Sequence, residues 1–270
     1  MIDPLSRRLL KGAGLVPAGQ GRGPVVLMYH SISRSSGSVW EVSGRSFTEQ
    51  LKLLSAEGWQ SVCVRDLLSA RALPPRTCVL TFDDGFADNM EAFRQLEKFG
   101  MKATVFVVSG DIGGSSSWKD EGVPSRRMLD KEQLIEMNKA GMEIGSHTRT
   151  HARLTEAGRE RLASEVAGSK KDLEDVIGAP VVSFAYPYGL FSDESVQAVR
   201  EAGYKLACTT RTGWFGSEKD LLRVRRVAVY NGDNLSTYAR KLVFADNEVS
   251  CSRMTRYMAS RFRARLGLAG

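Results

Sequence analysis

Two hydrophobic patterns alternate along this chain. Short, largely apolar runs of five or six residues are separated by longer stretches in which apolar positions return at steps of three and four. The runs are Pro24-Val25-Val26-Leu27-Met28-Tyr29, Gln60 to Val64, Cys78-Val79-Leu80-Thr81-Phe82, Ala103 to Val108, Met142 to Ser146, Val181 to Ala185, Tyr204 to Thr209 and Val224 to Val229. Each is predicted as a buried strand. The periodic stretches predict helices. One is opened by the capping box Ser46-Phe47-Thr48-Glu49 and ends at Gly58; a short one covers Asp66 to Ala70; another runs from Ala87 to Phe99 and stops at Gly100. Asp130, with Gln133 at the box position, caps a helix to Ala140, Thr155 opens a long one to about Ile177, and Ser192 caps the next, to Ala202. Ser31 to Gly44 and Asp111 to Arg127, rich in Ser and Gly, read as loops. Strand followed by helix, repeated without a linker, argues a parallel sheet. At this length a closed β/α barrel is favoured over an open doubly wound sheet.

Composition adds limits rather than a function. With 270 residues the chain is long enough for one large α/β domain or two small ones, and its 42% hydrophobic and 26% charged residues place it among globular proteins. No run approaches the roughly 18 apolar residues of a membrane span. Met1 to Gly23 lacks the apolar centre of a secretory signal, so the expected location is cytoplasmic. Cys63, Cys78, Cys208 and Cys251 show no CxxC spacing and are expected to be reduced. The charge is uneven: the net is +7, and Cys251 to Gly270 holds five arginines and no acid. There Met254, Tyr257, Met258, Phe262 and Leu266 would form one apolar stripe of a basic helix. Such a helix could contact the inner face of an anionic membrane, dock on an acidic partner or cover the barrel's end. No recognition motif accompanies the charge, so nucleic acid is not an expected partner.

Candidate chemistry gathers at strand ends. The chain has three histidines: His30 and His147 directly follow predicted strands, and His151 comes four residues after His147. Asp83-Asp84 follows another. A carboxylate pair there is either a turn and cap feature or part of a site. In a parallel barrel all strands open on one face at their C-terminal ends, which brings these five groups together. His147 and His151 are four apart, so one helical turn would point both rings at one cation. One added carboxylate makes a set that suits zinc in a hydrolase or ferrous iron in an oxygenase. One aspartate can bind while its neighbour, pointing away on an extended chain, stays available to take a proton from water. His30 is the histidine left to protonate a leaving group.

Thr81-Phe82-Asp83-Asp84-Gly85, His147-Thr148-Arg149-Thr150-His151 and Phe184-Ala185-Tyr186-Pro187-Tyr188-Gly189 resemble the first three motifs of the polysaccharide deacetylases of carbohydrate esterase family 4. The resemblance runs from about Pro24 to Val229. It implies a single catalytic domain, a distorted seven-stranded β/α barrel over residues 24-245, between an N-terminal arm (1-23) and a basic tail (246-270). It implies removal of N-acetyl groups from an amino-sugar polymer with one divalent metal, usually zinc, with nickel, cobalt or ferrous iron as alternatives. By position, Asp83 would be the base, Asp84, His147 and His151 the metal ligands, and the Tyr188 backbone N–H part of the oxyanion hole. Tyr186, Pro187 and Trp214 would touch the saccharide, and Trp40 and Trp118 lie in loops where they too could stack on sugar.

Two departures stand out. Many members carry an arginine where this chain has Ala185, and Arg226 is the candidate to orient the base instead. Many also carry an acid histidine near the C-terminus, whereas none follows His151 here. Val26-Leu27-Met28-Tyr29-His30 resembles the subgroup acting on bacterial exopolysaccharides such as poly-N-acetylglucosamine, in which an N-terminal histidine is the acid. Two alternatives stay open: a deacylase of a lipid-linked amino sugar or other amide, and a catalytically weak saccharide-binding module.

Overall fold

The computed structural model describes residues 2–13, 23–33, 37–118, 124–250, 252 and 255. Its strands are β1 (Val25–Tyr29), β2 (Ser31–Ser33), β3 (Glu41–Ser43), β4 (Gln60–Val62), β5 (Thr77–Phe82), β6 (Thr104–Val107), β7 (Glu143–Ser146), β8 (Ser183–Ala185), β9 (Leu206–Cys208) and β10 (Val227–Ala228). Eight make one curled sheet in the order β10-β1-β5-β6-β7-β8-β9, with β4 beside β5. All pairings are parallel. A further parallel bridge, Cys208 to Val224, joins β9 to the segment entering β10, so the sheet curls back onto its own start as a distorted barrel. β1 and β5 are buried at every position, as strands covered on both faces must be, which is why they read as unbroken apolar runs.

The helices are α1 (Pro4–Ala13), α2 (Gly44–Ala56), α3 (Asn89–Lys98), α4 (Lys131–Lys139), α5 (Arg159–Ala163), α6 (Ser169–Ile177), α7 (Asp193–Glu201) and α8 (Leu235–Phe244). The box predicted at Asp130 is formed, and the cap predicted at Ser192 is formed as a box closed through Ser195. Others differ from expectation. Ser43, not Ser46, caps α2, its hydroxyl accepting from the Ser46 amide, while Glu49 pairs with Lys52 on the surface. Within the predicted loop before it, β2 and β3 form a small parallel sheet. The long helix after Thr155 is interrupted: α5 passes through a π-helical turn, Ser164–Gly168, into α6.

The N-terminal arm contains an element that no strand-helix alternation marks. Asp3 accepts from the Ser6 amide and hydroxyl and so opens α1, and Leu9 and Leu10 are buried. Arg240 of α8 reaches back to Ser6 and Asp3. Helix α8, capped by Asn234, was likewise not anticipated. Cys63, Cys78 and Cys208 are buried and free. Cys251 and the amphipathic stripe expected beyond it lie outside the described residues. Among the described residues no helix is long and apolar enough to cross a membrane.

Candidate active site

The C-terminal ends of the strands open on a cleft of about 350 Å³. β5 delivers Asp83 and Asp84 to it. The Asp83 amide continues the sheet, donating to Tyr29 O at 2.9 Å, and then the backbone turns left-handed at Asp84 (φ 73°) and Gly85 (φ 84°). The two carboxylates therefore part because of a turn, not because of the extended-chain alternation expected from sequence. Gly85 is required on two counts: its φ favours glycine, and a Cβ there would lie 3.1 Å from Val107 Cγ1.

His147 and His151 converge as expected, but not on a helix. The stretch between them is irregular, with Thr148 (φ 67°) and His151 (φ 57°) left-handed. Asp84, Thr148, His151 and Tyr188 are four of the six non-glycine residues with positive φ among those described, and all four belong to this site. Such conformers persist only where the surroundings hold them. Each imidazole is fixed through Nδ1: His147 against Ala185 O at 2.8 Å, His151 against the Tyr188 hydroxyl at 3.1 Å. Both Nε2 atoms then face Asp84 Oδ1, at 3.5 and 3.4 Å. Burial pushes both imidazoles down, His151 to about 2, so the rings are neutral and their lone pairs are available. Two neutral imidazole nitrogens and a carboxylate oxygen, all within 4.8 Å of one another, form a donor set that fits a divalent cation.

Asp83 has a different partner. Arg226 donates from Nη1 to Oδ1 at 2.6 Å and from Nη2 to Oδ2 at 2.8 Å, a bidentate pair in which both side chains are buried. Two further Arg226 donors, Nε and the second Nη1 hydrogen, are met by Thr209 O and Thr81 Oγ1. Burial alone would push the Asp83 carboxyl up; the Arg226 guanidinium, by its charge and its hydrogen bonds, outweighs it and holds the group at about 2. Arg226 therefore stands where sequence placed it, against the candidate base, and supplies the charge that Ala185 lacks.

His30 lies on the same wall. Its Nδ1 is buried with no hydrogen-bond partner among the described residues, and burial draws its pKa down to about 4 despite the nearby Asp83 charge. Its ring packs on Trp40, centroids 4.5 Å apart, and Trp40 packs on Tyr230. Trp118 covers His151 at 4.6 Å. Tyr188, Tyr186, Trp40 and Trp118 all line the cleft. Tyr186 is fully buried and its hydroxyl donates to Leu222 O, so that hydroxyl is already engaged away from the cleft.

Pro187 and Trp214 do not line the cleft. Pro187 is buried behind Tyr188, and Trp214 packs partly on the core in a turn whose next amide, Phe215 N, bonds to Pro24 O before β1. That tie holds the turn at the entry of β1, away from the mouth. Sequence reasoning missed Tyr230 and Arg126. Tyr230 follows the last predicted strand directly, the same signal that exposed the histidines. Arg126 lies over the Phe86 ring and pairs with Asp88 and Glu41, joining two mouth loops that only the fold brings together.

The sequence profile of the polysaccharide deacetylases matches residues 70–207, over the strands that carry both aspartates and both histidines. The chain belongs to that family. Its relatives include YxkH of Bacillus subtilis (strain 168), 33% identical over 218 residues, 79% of this chain and 74% of that one. They also include the poly-beta-1,6-N-acetyl-D-glucosamine N-deacetylase of Staphylococcus aureus (strain N315), 26% identical over 179 residues. That match covers 62% of this chain and 60% of the staphylococcal protein, so the chain spans less than two thirds of it. Among solved structures, the polysaccharide deacetylase BC0361 from Bacillus cereus superposes with a TM-score of 0.72 at 29% identity, over 82% of this chain and 69% of the other. The family's fold is the curled parallel sheet described above.

Proposed function

We propose that this member of the family is a metal-dependent N-deacetylase that hydrolyses acetamido groups of an N-acetylated glucosamine polymer, of which poly-β-1,6-N-acetylglucosamine is the first candidate. One observation carries the reading. Two adjacent carboxylates have opposite partners, Asp83 a buried arginine and Asp84 two neutral histidines. The staphylococcal relative motivates the choice of polymer. An aromatic-walled cleft of about 350 Å³ supports a sugar over a long acyl chain.

Asp84, His147 and His151 would hold the cation. When bound, a divalent ion, zinc in the first instance, lowers the pKa of its water and polarises the acetamido carbonyl. Asp83, ionised and with both oxygens oriented by Arg226, accepts the proton of the attacking water. The Tyr188 backbone N–H, on a left-handed residue of the cleft wall, donates to the developing oxyanion. His30 gives the departing nitrogen its proton. Since burial keeps His30 neutral at rest, the proton it delivers is the one taken from the attacking water and passed on from Asp83, so none is drawn from outside the reaction. One water is consumed; acetate and an amine are released.

The test is acetate and free-amine release from poly-β-1,6-N-acetylglucosamine, chitooligosaccharides and peptidoglycan fragments, with metal supplied and then chelated. The reading expects equal amounts of both products from at least one glycan, only with metal present. A zinc-loaded protein that releases acetate from none of them would refute it, and glycan binding without turnover would favour a binding module.

A further inference from the structure

The stretch from His147 to His151 has no regular structure to hold it, yet neighbouring segments bond to it from two sides. On one side Ser109 N donates to Thr148 O at 3.1 Å and Gly110 N to Arg149 O at 2.9 Å. On the other, a single carboxylate takes the next three donors. Glu165 Oε2 accepts from Arg149 N at 2.9 Å and Thr150 N at 3.0 Å, and Oε1 accepts from the Thr150 hydroxyl at 2.6 Å.

Glu165 is buried and belongs to the π-helical turn Ser164–Gly168 between α5 and α6. A π turn accommodates one more residue than the α-helix around it, so it changes which side chain points inward. The same turn receives the Arg149 side chain, which pairs with Asp172 through Nε and Nη2, each at 2.7 Å. A Cβ at Gly168 would lie 2.8 Å from the Arg149 Cζ, so this glycine makes room for the guanidinium. Glu165 does not line the cleft.

We propose that Glu165 is the positioning residue of the two-histidine site, setting the spacing of His147 and His151 through the backbone between them, with the π turn as the device that presents it. The proposal rests on the reading of Asp84, His147 and His151 as the metal site. Without the Glu165 carboxylate, two consecutive amides and a hydroxyl lose their acceptor. The left-handed conformers of Thr148 and His151 are then no longer over-determined. The histidines stay in the chain but lose their common aim.

The test is titration of the full chain with Co²⁺ and Zn²⁺, following the visible Co²⁺ bands, beside thermal unfolding. Glu174→Ala is the control. Glu174 lies on α6 and also accepts a backbone amide, Val181 N at 2.9 Å, without touching the histidine stretch. Glu165→Ala is expected to weaken metal binding about 10- to 100-fold, as loss of an outer partner of a metal ligand does, and to alter the Co²⁺ spectrum. Glu165→Gln, which sets an NH₂ against one of the three donors, falls between it and the wild type. Glu174→Ala lowers the melting temperature and keeps wild-type affinity. Wild-type affinity in Glu165→Ala, or equal weakening in both alanine variants, overturns the proposal. Should Glu165→Ala fail to fold, Glu165→Gln decides, with wild-type affinity again the refuting result. A wild-type chain that binds neither ion refutes the metal-site reading itself, a distinguishable outcome.

Discussion

Asp83 at the mouth of the barrel and Glu143 at its floor are both buried acids, 3% and 2% exposed, and they are accommodated in opposite ways. Asp83 faces a guanidinium and is held at about 2 against its burial. Glu143 opens β7 and accepts from Ser183 Oγ, Thr104 Oγ1 and Arg65 N at 2.6, 2.7 and 2.9 Å. There burial wins over those hydrogen bonds, and its pKa is raised. Neutral donors satisfy a carboxyl geometrically; a buried cation keeps it charged. The mouth thus maintains an ionised acid among left-handed residues, whereas the floor ties three strands together without requiring charge.

The sharpest way to break this contrast is Asp83→Asn. It is expected to lower kcat by about 10²- to 10⁴-fold, the usual contribution of a positioned base, with KM little changed. Steady-state kinetics decide. Arg226→Gln comes next. Breaking a buried pair costs about 3–5 kcal/mol, visible in denaturant unfolding. The lost guanidinium lets burial raise Asp83, so the acid limb of kcat/KM should move up by about 1–3 pH units. The sign follows because the base must be ionised: a higher pKa means activity is lost earlier as pH falls.

Glu143→Gln should be the mildest. The residue lies four positions before His147, about 13 Å at strand rise, so kcat should hardly change. Stability should differ by about 1 kcal/mol, with a defined pH dependence. A carboxyl raised in the folded state contributes stability below its unfolded pKa and loses it as pH rises through the folded value. Glutamine cannot titrate, so thermal melts should favour it progressively as pH rises above the ordinary carboxyl range.

The same contrast explains what could be read in the sequence. Strand ends announce themselves, because an apolar run that stops on Asp83-Asp84 or His147 marks both the sheet and the mouth. Caps at Asp130 and Ser192 were legible for a local reason: a side chain and an amide three residues apart. The helical geometry assigned to His147 and His151 failed because spacing of four is also compatible with a looped stretch. What loops it, Ser109, Gly110 and Glu165, is distant in sequence. Trp214 failed similarly: a loop tryptophan carries no label for which end of the barrel it serves. The Arg226–Asp83 pair joins residues 143 apart, and only the missing charge at Ala185 hinted at it. Helices α1 and α8 carry readable caps at Asp3 and Asn234 but lie outside the strand-helix repeat.

The central claim is that two neighbouring aspartates divide the work, Asp84 on the cation and Asp83 on the proton. Metal content and turnover measured together on Asp83→Asn and Asp84→Asn test it most directly. The account predicts that Asp83→Asn retains a bound divalent ion and loses turnover, while Asp84→Asn loses both. An Asp83→Asn protein that sheds its metal, or an Asp84→Asn protein that keeps metal and activity, would contradict it.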